Sequence, residues 1–230
     1  MDRNPIEDAR DLVGELFPAA WWAVVAGSVI TSQRTRGSDL DIVVVLPDGD
    51  PTVPHRSSRY GREWPVELFV HDAASLTRFL AKDLPVRRPT LHRMVATGVL
   101  VVGDGTDAAQ VQADCARILA QGPTPLTDAE REWGRYRLTD LLHDLDHAID
   151  SAERLVVSSC AWTTAAELAL AFADHWTGSG KWLLRELRDL DDGLAERWLA
   201  AFGVPEAVAT FAHAVLDGAG GPLFEGFRVG

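Results

Sequence analysis

Strand signals and helix signals segregate along this chain, and that segregation limits its fold more than any single residue does. Short apolar runs rich in β-branched residues occur at 21–26 (WWAVVA), 39–46 (DLDIVVVL), 65–70 (PVELFV) and 98–102 (GVLVV). All of them precede QGPTPLT at 121–127, a Gly-Pro-Thr-Pro break of the kind that separates domains. Beyond it the apolar residues recur at helical spacing. The pattern predicts an α+β chain: a small mixed β-sheet with flanking helices over 1–122, then an all-α helical bundle over 123–230.

Within the first half, Ile6, Ala9, Leu12, Val13 and Leu16 form one face of a helix over 5–17. Further helices are expected from Ala73, capped by Asp72, near Pro89, and over 107–120. Residues 47–63 are polar and read as a loop or hairpin. The strand-like run 65–70 alternates imperfectly, with Val66 and Phe69 set against Glu67 and Leu68. In the second half, Thr127 and Glu130 make a capping box opening a long helix to about residue 157. Others are expected near 160–175, 180–190, 192–202 and 205–217.

Composition narrows the partners. Among 230 residues, 22 Lys and Arg face 34 Asp and Glu, a formal charge of −12. A duplex nucleic acid is not the expected partner, because neutralising phosphates needs a basic surface. Cys115 and Cys160 form no metal-ligand spacing and no disulfide framework. The amino-terminal MDRNPIEDARDLVGELF is acidic and amphipathic, unlike a signal peptide. No apolar run approaches a membrane span. A cytoplasmic setting with no membrane partner is expected.

The chemistry concentrates around Asp39 and Asp41. At i and i+2 on a strand they point to one side, where the strand leaves a loop and their ends can stay wet. Paired carboxylates need a proton, a cationic side chain or a metal to offset their repulsion. Hard divalent cations take such oxygen ligands, and Mg²⁺ binds through one or two carboxylates together with substrate phosphates. Glu67 joins them if its strand lies beside 39–46. Gly27 lets a phosphate approach the backbone, and Ser28 adds a hydroxyl donor.

AGS (26–28), SDLDIVVV (38–45) and VELFV (66–70) together resemble the nucleotidyltransferase superfamily that includes DNA polymerase β. An α/β half followed by a helical bundle is similar to the antibiotic nucleotidyltransferases. The resemblance implies two Mg²⁺ ions on Asp39 and Asp41, with Glu67 as a metal ligand, a general base, or both. It implies that Gly27, Ser28 and Ser38 meet a nucleoside triphosphate, ATP foremost, and that Lys181 in TGSGKWLLREL contacts phosphate. The helical half would then help choose a hydroxyl-bearing small-molecule acceptor, with a cationic aminoglycoside-like compound as one candidate. Two alternatives remain: a transferase of toxin–antitoxin type that modifies a protein, and a catalytically silent nucleotide-binding regulator.

Elsewhere, Leu138, Leu141, Leu142, Leu145 and Ile149 read as a core stripe on the long helix. Asp140, His143, Asp144 and His147 lie opposite, as a solvated face. Arg34 and Arg36 are loop residues within reach of the motif.

Overall fold

The computed structural model describes residues 4–103 and 105–229. It divides into two compact units, Met1–Gln121 and Gly122–Gly230.

The first unit opens with α1 (Pro5–Leu16). Its strands are β1 (Trp22–Ala26), β2 (Leu40–Val45), β3 (His55–Gly61), β4 (Trp64–His71) and β5 (Val99–Val102). Helices α2 (Ala73–Asp83) and α3 (Thr90–Thr97) precede β5, and α4 (Thr106–Gln121) follows it. The strands form one mixed sheet in the order β3-β4-β2-β1-β5. Only the β2–β4 pair is parallel; the other neighbours are antiparallel.

Both faces of the sheet are covered, which is why its central strands read as unbroken apolar runs. On one face Val25, Ile42, Val44 and Leu68 pack with Ala9, Leu12 and Val13 of α1. On the other, Val24, Val43 and Val45 pack with Leu76 of α2 and Met94 and Val95 of α3. From Trp64 to Val70, strand β4 keeps a two-residue period, with Trp64, Val66, Leu68 and Val70 all buried. The imperfect alternation expected for this strand is therefore corrected: Leu68 sides with Val66, and Phe69 shares the face of Glu67.

The stretch expected as a loop or hairpin contains β3, which pairs with β4. Arg62 and Glu63 connect them, both at positive φ, as a two-residue primed turn requires. Arg-Glu lacks the Asn-Gly signature of such turns. Contacts elsewhere support it, since the Arg62 guanidinium pairs with Glu15 and Asp11 of α1.

Among its described residues the second unit holds helices and no strand: α5 (Asp128–His147), α6 (Ser151–Phe172), α7 (Lys181–Leu190), α8 (Asp192–Ala201) and α9 (Pro205–Gly218). Leu138, Leu142 and Leu145 meet Ala161, Ala165, Leu187, Trp198, Val208 and Leu216 in one core. The Thr127–Glu130 capping box forms. One long helix to about residue 157 does not. The chain breaks after His147, and the Asp150 carboxylate accepts from the N–H groups of Ala152 and Glu153, starting α6 afresh. Ile149 consequently leaves the core stripe and stands fully exposed.

The expected lack of any span-length apolar run is also corrected. Helix α6 has 22 residues and is long and apolar enough to cross a membrane by length and composition. Its Ala161, Ala165, Ala166, Leu168 and Leu170 are buried in the helical core. Trp162 and Trp198 tie α6 to α8: their rings stack at 3.8 Å, and each indole N–H donates to the other residue's carbonyl, at 2.7 and 2.9 Å.

Candidate active site

Sheet register brings the acidic residues together. Asp41 lies opposite Ala26 on β1 and opposite Glu67 on the parallel strand β4. Asp39 immediately precedes β2 and shares the face of Asp41. All three are half-buried, and one carboxylate oxygen from each lies within 4.8 Å of the other two. Apolar packing begins directly beyond them, with Ile42 to Val45 buried.

Gly27 ends β1 at φ 85° and ψ −170°, a region essentially reserved for glycine. A Cβ there would overlap Asp41 Oδ2 and sit 3.3 Å from its Cγ. The bare backbone is thus what lets the chain pass beside the carboxylate. A short 3-10 turn follows, Ser28–Ile30.

Ser28 and Ser38 close the intervening loop. Their hydroxyl oxygens lie 2.9 Å apart, and the Thr35 N–H donates to Ser38 Oγ at 3.0 Å. Ser38 is only 4% exposed, so its hydroxyl fixes the loop that carries Asp39. Arg34 stacks on the Trp64 ring at 5.0 Å, and Arg36 is exposed. Lys181 lies in the second unit, exposed at the first residue of α7 behind Gly180.

Arg56 is the neighbour that sequence reasoning missed. Its Nη2 donates to Glu67 Oε2 at 2.6 Å, and its guanidinium covers Phe69 at 4.8 Å. Ser58 pairs with Glu67 and Arg56 with Phe69, which puts Arg56 on the face of Glu67. Only the hairpin register reveals this, and the turn carries no local signal for it.

The donor set is all carboxylate oxygen, hard and half-solvated, and suits Mg²⁺ better than a soft metal. Three anions this close also call for positive charge, of which Arg56 supplies one unit.

No protein-family model matches the chain. No curated protein matches it. Among solved structures, the chain is similar to a nucleotidyltransferase-like protein from Exiguobacterium sibiricum 255-15. The two share 15% identity over 94% of this chain and 73% of that one, at a TM-score of 0.45.

Proposed function

We propose that this protein transfers a nucleoside monophosphate from a nucleoside triphosphate, ATP foremost, to a hydroxyl of a small-molecule acceptor. One observation carries the reading: Asp39, Asp41 and Glu67 converge from adjacent strands beside a glycine whose side-chain space is taken by Asp41. Asp39 and Asp41 would hold two Mg²⁺ ions, with Glu67 completing the set. Bound there, the ions would supply Lewis acidity to the acceptor hydroxyl and charge neutralisation for the departing pyrophosphate. The acceptor oxygen bonds to the α-phosphorus as the bond to the pyrophosphate oxygen breaks. Glu67 accepts the hydroxyl proton or orients the group that does. The Gly27–Ser28 backbone offers a close approach for the triphosphate. A cationic acceptor of aminoglycoside type suits the acidic balance of the chain.

The test is pyrophosphate release from each nucleoside triphosphate with Mg²⁺, across aminoglycoside and lincosamide acceptors. The wild type should release pyrophosphate only with an acceptor present. Asp39→Asn combined with Asp41→Asn should lower the rate by roughly a hundredfold or more, the scale of several kcal/mol of transition-state stabilisation. Equal rates for variant and wild type would overturn the mechanism.

A further inference from the structure

The helical unit holds a groove of about 650 Å³ between the end of α6, α8 and α9. Packed interiors leave few voids larger than a water molecule, and sites for small ligands run to about 300–1,000 Å³. The groove therefore has the size of a ligand site and exceeds a packing defect. It stays open because facing positions carry small side chains. Ala200 on α8 and Ala214 on α9 both line it, and both are exposed. Phe172 and Phe211 add aromatic walls and pack with the helical core. Such rings pack well against another ring, offset or edge to face.

The polar groups on the lining are few. The Thr210 hydroxyl donates to the Glu206 carbonyl at 2.8 Å, so it is engaged within its own helix. Arg197, exposed on α8, is the one charged residue of the lining. No carboxylate lines the groove. The acidic side chains closest to it in sequence engage other partners: Glu196 pairs with Arg188, Glu206 pairs with Arg154, and Asp191 caps α8 through the Leu194 N–H.

An apolar space with a guanidinium as its single charge is complementary to an apolar body that ends in an anion. The planar guanidinium fork matches the oxygens of a carboxylate or a similar oxyanion. We infer that the α6–α8–α9 groove binds a small aromatic organic anion. Its ring system packs against Phe172 and Phe211, and its carboxylate or sulfonate pairs with Arg197. The charge preference is opposite to that of the three carboxylates on the sheet, so the inference does not rest on the transfer reaction.

The test titrates the fluorescent anion anilinonaphthalene sulfonate into the full chain, beside its uncharged analogue phenylnaphthylamine. One saturable site is expected for each dye. Ala214→Trp, at an exposed position of α9, fills the groove and should weaken both by roughly tenfold or more. Arg197→Gln should weaken the sulfonate by up to about fivefold, the scale of an exposed ion pair, and leave the uncharged dye unchanged. Circular dichroism confirms that each variant is folded, and sedimentation reports its oligomeric state. Sulfonate binding that survives Ala214→Trp, or no saturable binding at all, would overturn the site. Equal losses of both dyes in Arg197→Gln would overturn the preference for an anion. A dimer that dissociates in Ala214→Trp would overturn the assignment in favour of a second copy of the chain.

Discussion

Gly27 and Arg56 show how single residues set the terms of the acidic site. Gly27→Ala places a methyl group against the Asp41 carboxylate and forces alanine into a glycine-only conformation costing about 1–3 kcal/mol. The expected outcome is a folded protein of lowered melting temperature with transfer activity reduced at least roughly tenfold, read by melting scans and pyrophosphate release. Arg56 acts differently. Its partly exposed pair with Glu67 is worth about 0.2–1 kcal/mol, and Mg²⁺ must compete with it for the same carboxylate. Arg56→Met should therefore lower the Mg²⁺ concentration for half-maximal binding by up to about fivefold, measured by titration. A weaker affinity would show that Arg56 serves to orient Glu67. Asp39 and Asp41 were legible from the sequence because i and i+2 on one strand is a local pattern. Arg56 was not, because its position follows from pairing across a turn.

At the scale of elements, the Trp162–Trp198 bracket bears much of the join between α6 and α8. Trp162→Phe keeps an aromatic ring but removes the donor to the Trp198 carbonyl. Leaving a buried acceptor unsatisfied costs about 1–3 kcal/mol. A urea melt should show a lower midpoint with little change in slope; an unchanged midpoint would mean that the stacked rings alone make the join. The sheet strands could be read in advance because burial on both faces leaves continuous Val and Ile runs. Strand β3 could not, since none of its residues is buried and its turn lacks glycine. The break between α5 and α6 was missed because Leu145 and Ile149 continue the helical spacing across it. Only the Asp150 cap, a short side chain bonding two N–H groups, ends one helix and starts the next.

For the molecule as a whole, two buried histidines link stability to pH. Burial holds the imidazoles of His71 and His92 below the ordinary histidine range, with Asp72 and Asp83 offsetting part of the effect. Neither Nδ1 has a hydrogen-bond partner. Both rings stay neutral in the folded chain at pH values where the unfolded chain takes up protons. Their contribution is complete above about pH 6.5, the ordinary value, and is lost as pH falls through the depressed folded values. Melting temperature should drop between pH 7 and 5, and His92→Gln should flatten that slope; an unchanged slope would place the sensitivity elsewhere. The division into two units reflects two separate sets of apolar contacts, and it has a consequence in the order of synthesis. Residues 27, 39, 41, 56 and 67 all leave the ribosome early, yet β5 at Val99–Val102 must emerge before it can pair with β1 and complete the sheet. Domains generally fold as units, amino-terminal first. A nascent chain whose residues to Gln121 have left the ribosome would then already gather the three carboxylates before the helical unit is complete.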